Sequence, residues 1–299
     1  MKITNVVNTR VLPIDFEYYK PKTINEAIQL LTQIPDSVIL AGGLDLLIWI
    51  KMGQLKPRAL INIKEIKELN QVSVINDKIE IGAAVRIIDL EKSEIIRKKI
   101  PLLWKVAKEF SSIQVRTMTT IGGNISSASP ASDIATALLS LDTELEIMGP
   151  NGIRKVRLGD FYLGFRKTVL AKGEILTKII IKEKSENEGF GYKRVARIYD
   201  DIAKVIVATR IKLDSKGYAE KVAVSLGSVA PKVVRSPSVE NYLLNKKLNE
   251  ELIEEASYKV VDDISPIDDI RSTAEYRRKV SQVLVKRALI EALKGVYLA

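Results

Sequence analysis

The chain has 299 residues, 46% of them hydrophobic, which is enough for a sizeable core divided over more than one domain. It contains no cysteine and no histidine, so disulfides, thiolate or imidazole metal ligands, iron-sulfur cages and nucleophiles activated by a histidine base are all excluded. Lysine and arginine outnumber aspartate and glutamate 47 to 37, but the basic residues are interleaved with acids and aromatics make up only 6%, so no nucleic-acid partner is expected.

The first twenty residues, MKITNVVNTRVLPIDFEYYK, lack the apolar run of a signal peptide, and no later stretch reaches the roughly 18 apolar residues of a membrane span. A cytoplasmic protein with no membrane span is therefore expected. Thr23-Ile24-Asn25-Glu26 is a capping-box pattern, and Ala27, Ile28, Leu30, Leu31 and Ile34 follow at helical spacing, which predicts a helix over about 23–34. Ser37-Val38-Ile39-Leu40-Ala41 reads as a buried strand that runs directly into Gly42-Gly43. Short β-like runs from Ala59 to Ile63 and from Lys78 to Gly82 come next, then a helical stretch around 86–98 and an amphipathic helix from Pro101 to about Ser111. A second glycine loop, Thr120-Ile121-Gly122-Gly123-Asn124, follows, and Asp133 to Ser140 is a helix candidate. Glu144 to Met148 and Lys155 to Leu158 read as strands joined across Gly149-Pro150-Asn151-Gly152.

The polar, glycine-bearing run from Lys182 to Gly191 marks a domain boundary. Beyond it, Ala203 to Leu213 and Lys221 to Val229 are strand-like and suited to antiparallel pairing, and Ser272-Thr273-Ala274-Glu275 is a capping box for the last helix. Alternating helices and strands imply an α+β or α/β domain. Trp49 and Trp104 are assigned to the core, and Glu250, Glu251, Glu254 and Glu255 to a solvated helix face. Asp262, Asp263, Asp268 and Asp269 lack the spacing of an EF-hand loop and are placed between helices.

Two glycine pairs, each expected between an apolar strand and a following element, suit close approach of a ligand to the backbone. Successive N–H groups in such turns form anion-binding nests, for which a dinucleotide pyrophosphate is a fitting ligand. Neither pair matches the G-x-G-x-x-G fingerprint or the Walker pattern. From Thr119 to Asp133, hydroxyls, an amide and a carboxylate crowd into fifteen residues, a costly set to bury unless each group has a partner.

Pro13-Ile14-Asp15-Phe16, the first glycine loop, TIGGNISSASPASD and DIRSTAEYRRKV together resemble the FAD-binding medium subunit of the carbon monoxide dehydrogenase, xanthine dehydrogenase and aldehyde oxidoreductase family. The resemblance implies a PCMH-type FAD-binding domain over residues 1–186, with subdomains of about 1–65 and 66–186. A smaller C-terminal α+β domain, an antiparallel sheet with helices, is implied over 187–299. On that template Ile39, Leu40, Ala41, Gly42, Gly43, Leu44, Asp45 and Leu46 bind non-covalent FAD, together with Thr120, Ile121, Gly122, Gly123 and Asn124. Both segments would act through backbone N–H groups, with Thr120 and Asn124 adding side chains. Asp133 would hydrogen-bond the cofactor, Phe110, Leu176 and Lys193 would line further contacts, and Tyr199 would shield the flavin ring. The family pattern has Thr or His after Ala-Gly-Gly, whereas this chain has Leu44, which removes a side-chain hydroxyl contact.

The function so implied is a flavoprotein electron-transfer subunit without catalytic side chains of its own. Its partners would be a small subunit carrying iron-sulfur clusters and a large subunit carrying molybdopterin, and the basic surface would dock acidic partner faces. The alternatives are a free-standing PCMH-type flavin oxidoreductase and a non-catalytic assembly module that has lost FAD.

Overall fold

The computed structural model describes Leu12 and residues 14–297. The signal-peptide reading of the first residues and Pro13 of the resembling stretch lie outside the described residues. Near the N-terminus, Glu17–Tyr19 and Ser37–Leu40 flank Ala59–Asn62 in a small parallel sheet. Helix Ile24–Gln33 joins the first two strands in sequence and buries Ala27, Ile28 and Leu31. Its start follows the capping chemistry: Thr23 Oγ1 accepts from the Glu26 N–H at 3.1 Å, and the Glu26 carboxylate accepts from the Lys22 N–H at 2.7 Å.

A five-stranded antiparallel sheet follows, in the order Val72–Ile75, Lys78–Gly82, Ile175–Lys182, Glu144–Gly149 and Gly152–Arg157. The strand at its centre, Ile175–Lys182, carries no alternation because both its faces are covered, and the period-two signal is lost there. Helices Pro101–Glu109 and Asp133–Ser140 pack with this sheet around the largest apolar cluster, which includes Ile79, Ile81, Leu103, Leu138 and Ile179. The helical stretch expected at 86–98 is two helices, Ile87–Lys92 and Glu94–Lys99. Ser93 ends the first with extended backbone (φ −79°, ψ 116°) and caps the second by accepting from the Ile96 N–H.

The second large sheet is antiparallel and sequential: Glu188–Val195, Val205–Leu213, Ala219–Gly227 and Val234–Arg235. Helix Ala274–Tyr297 lies directly on its first strands. A Cβ on Gly189 would stand 2.0 Å from the Ala292 carbonyl oxygen, and one on Gly191 1.9 Å from that of Ala288, so the glycines permit helix-on-strand contact. The polar run at 182–191 is therefore mostly strand at both ends, with irregular backbone only over 183–187.

Two local expectations are corrected. The last helix is capped by Thr273, whose Oγ1 accepts from the Tyr276 N–H at 3.2 Å, while Glu275 pairs with Lys279 instead of reaching back. Asp262 and Asp263 end the 3-10 helix Lys259–Asp263, and Asp263 accepts from Ser236 Oγ and from the Ser238 N–H and Oγ. Asp269 instead pairs with Arg277 at 2.6 Å, and Asp268 accepts from the Ala274 N–H, so these acids do not converge on one site. Trp104 is half-buried against the main core, its indole N–H donating to the Glu91 carbonyl. Among the described residues, no helix is long and apolar enough to cross a membrane.

Candidate functional site

The strand Ser37–Leu40, held by Ala59–Asn62, delivers the chain to the first glycine pair, after which helix Leu44–Lys51 begins. Gly43 is the cap residue at φ 79°, in the left-handed region that glycine adopts freely, and no side chain caps the helix. A Cβ on Gly42 would lie 2.3 Å from the Met118 carbonyl oxygen, so this turn rests on the backbone of 118–119. The N–H groups of Gly42, Gly43, Leu44, Asp45 and Leu46 have no acceptor among the described residues; the first inward bond is Leu47 N–H to the Gly43 carbonyl at 3.0 Å. Five consecutive free amides at the positive end of a helix form an anion cradle.

The second glycine pair is arranged differently. It follows helix Ile113–Met118, not a strand, and Ile121–Ser126 is itself a short helix capped by Thr120, whose Oγ1 accepts from the Gly123 N–H. Its amides are consumed within the fold: Ile121 donates to Val85 O, Gly122 to Ala83 O and Asn124 to Thr120 O. The expectation that both segments present backbone donors is thus corrected for residues 121–124, where side chains and the neighbouring Thr120 N–H are left to act. Asn124 Oδ1 accepts from Ser132 Oγ at 2.5 Å, which leaves the amide –NH2 as its free group.

Between these segments lies a cavity of about 480 Å³. Ile39, Ala41, Gly42, Gly43, Leu44, Asp45 and Leu46 line one side of it. Thr120, Gly122, Gly123 and Asn124 line another, and Phe110, Asp133 and Leu176 complete the set that the sequence pointed to. Four expected residues lie off it. Leu40 packs with Ile50 and Leu60 in a separate small core, and Ile121 is buried in the main one. Lys193 pairs with Glu291 at 3.1 Å, and the Tyr199 side chain is 62% exposed.

Strand geometry explains the Lys193 result. Residues 192 and 194 share one face of Glu188–Val195, and that face points at Asp133. Tyr192 Oη donates to Asp133 Oδ1 at 2.5 Å, and Arg194 Nε lies 3.3 Å from the same oxygen. Burial pushes the Asp133 carboxyl above the ordinary carboxylate range, with Arg194 and the Tyr192 hydroxyl opposing the shift. Burial, with Asp133 beside it, also pushes the Tyr192 hydroxyl up. Arg194 Nη1 donates to the Tyr199 carbonyl at 2.8 Å and Nη2 to the Asp201 carbonyl. Sequence reading missed Arg194, the only cation among the described lining residues, whereas the lining residues Asp200, Asp201 and Ile202 belong to Arg197–Lys204, the stretch that the family resemblance places near the flavin ring. It also assigned Trp49 to the core, whereas this ring is half-buried, lines the cavity and lies 4.5 Å beneath the Arg166 guanidinium.

A strand, a Gly-Gly turn and a helix with free leading amides, set beside a hydroxyl-lined cavity, define a protein that holds a phosphate-bearing cofactor. With no cysteine or histidine present, the polypeptide supplies binding and leaves redox chemistry to what it binds. Residues 14–182 match the family described as FAD binding domain in molybdopterin dehydrogenase, and residues 190–292 that described as CO dehydrogenase flavoprotein C-terminal domain. The chain belongs to this family of FAD-binding dehydrogenase subunits. It is 34% identical to the glyceraldehyde dehydrogenase medium chain of Sulfolobus acidocaldarius, over 93% of this chain and 99% of that one. It is 31% identical to the carbon monoxide dehydrogenase medium chain of Hydrogenophaga pseudoflava, over 93% and 97% of the two chains. A solved structure of carbon monoxide dehydrogenase from that organism superposes with a TM-score of 0.92 at 32% identity, covering 95% of this chain and 99% of the other.

Proposed function

We propose that this chain is the FAD-carrying medium subunit of a cytoplasmic molybdenum hydroxylase complex. In that complex a small partner carries iron-sulfur clusters and a large partner carries molybdopterin, and electrons pass through this chain to an external acceptor. The observation that carries the reading is the row of five free amides from Gly42 to Leu46 beside the 480 Å³ cavity. FAD, when bound, supplies the electron-transfer chemistry.

The residues divide the task of binding. Amides of Gly42 to Leu46 would hold the pyrophosphate, and because these donors are backbone groups, Leu44 costs a side-chain contact without removing the cradle. The Thr120 hydroxyl, the Asn124 –NH2 and Asp133 would meet sugar and ring polar atoms, while Ile39, Ala41, Phe110 and Leu176 would cover apolar surface. Gly122 and Gly123 keep the opposite wall thin. Leu40, Ile121, Lys193 and Tyr199 are given no contact in this reading. Residues 1–186 and 187–299 are taken as the two domains, with the Asp133, Tyr192 and Arg194 cluster joining them.

Purified protein should show the absorption of oxidised flavin, or acquire it on incubation with FAD. A colourless preparation that FAD does not reconstitute would sink the proposal. Co-purification with a large molybdopterin chain and a small iron-sulfur chain checks the assembly separately.

A further inference from the structure

The loop over 196–204 carries Asp200, Asp201 and Ile202 to the cavity, yet little apolar packing holds it there. Ile198 and Tyr199 are 64% and 62% exposed, and Ile202 is 49% exposed. Its ends are closed by the Lys204 N–H donating to the Val195 carbonyl at 2.7 Å. Between those ends, the last turn of the loop is anchored by Ser228 Oγ, which donates to the carbonyl of the buried Ala203 at 2.8 Å, while over 198–202 the backbone is pinned to the rest of the fold by Arg194, through the Tyr199 and Asp201 carbonyls, and weakly by Ser111 Oγ, 3.5 Å from the Asp200 carbonyl. Arg194 is in turn fixed from below. It stands on a sheet strand, its side chain is 11% exposed, and its buried Nε lies beside Asp133 without donating to any group. One guanidinium therefore spans the floor of the cavity and the segment that covers its edge.

We propose that Arg194 is a latch that holds the 196–204 loop across the cavity and so sets how long the bound cofactor stays. Because two charge-assisted bonds go to backbone carbonyls, the latch depends on the fork of the guanidinium and not on loop side chains. The inference rests on the FAD reading for its consequence but not for its mechanism: the hold on the loop exists in the chain alone.

The test uses the full chain with Arg194→Lys, which keeps the charge beside Asp133 but offers a single donor centre, and Arg194→Gln, which removes the charge. Hydrogen exchange measured without cofactor should show the amides of 196–204 exchanging about tenfold faster or more in Arg194→Gln, and less so in Arg194→Lys. Strand Val205–Leu213 should keep its protection, which separates a released loop from a loosened fold. In FAD-loaded protein, the dissociation rate followed by the return of flavin fluorescence should rise by about the same factor. Loop exchange unchanged in both variants would overturn the latch, and faster exchange with an unchanged dissociation rate would overturn its role in retention. A chain that takes up no FAD would instead count against the proposed function, while the exchange result still decides whether Arg194 holds the loop.

Discussion

Gly42 and Gly43 are adjacent and do different work: one allows contact with the backbone at Met118, the other takes a left-handed conformation that starts a helix with its amides free. Gly42→Ala should raise the FAD dissociation constant at least about tenfold, because its Cβ would displace the whole turn against unyielding backbone. Gly164→Ala, where a Cβ meets nothing within 4 Å, should leave it unchanged; titration of flavin fluorescence reads both. Asp133 makes a second prediction. Its folded-state pKa is raised, so the folded chain keeps a proton that the unfolded chain releases as pH climbs through the ordinary carboxylate range. The stability from this group is complete at low pH and declines as pH rises towards the raised value. Asp133→Asn should remove that decline, flattening the difference from wild type by up to about 1.4 kcal/mol per pH unit. Urea unfolding across the acid range provides the measurement, and superimposable profiles would count against the assignment. At this scale the sequence marked Asp133 and both glycine pairs. Lys193 was implied by the family resemblance alone, and which side chains of strand Glu188–Val195 face Asp133 is settled only by how that strand is placed in the fold.

Among the elements, the last helix shows how overlapping local signals are resolved. Ser272 fits a capping box on paper, but its N–H and carbonyl are engaged with Asp269, which commits its backbone to a turn and passes the cap to Thr273. Thr273→Ala should therefore cost about 1 kcal/mol, and Ser272→Ala much less; equal losses in urea unfolding would contradict this assignment. The same limit applied to the strand Ile175–Lys182. Its apolar run was present in the sequence, but burial on both faces erased the alternation that identifies half-exposed strands. Hairpin Glu144–Gly149 with Gly152–Arg157 and the pair Val205–Leu213 with Ala219–Gly227 were readable because turn residues and alternation agreed.

Across the whole molecule, buried charge braces the second large sheet and links it to the backbone beside it. Glu188 is fully buried and accepts from Arg210 Nε and from the Ser185 N–H, while Arg210 also reaches within 3.5 Å of Asp142. Glu188→Gln would leave the buried Arg210 guanidinium with only the more exposed Asp142 carboxylate at 3.5 Å, and stability in urea should fall by about 3 kcal/mol. Charge matters outside as well: with a formal charge of +10, association with acidic partner faces should weaken steeply as salt rises. Assembly measured by analytical ultracentrifugation and found indifferent to salt would refute that. By itself the sequence determined the mixture of helices and strands, the lack of cysteine and histidine, and the two glycine segments that carry the family resemblance, since these depend on residue type and short-range pattern. Only the tertiary structure decided which segment could hold an anion. Gly122 loses its amide to Ala83 and Ile121 to Val85, distant in the chain, whereas Gly42 to Leu46 are left free at a helix start, and hydrogen-bond partners of that kind are set by folding.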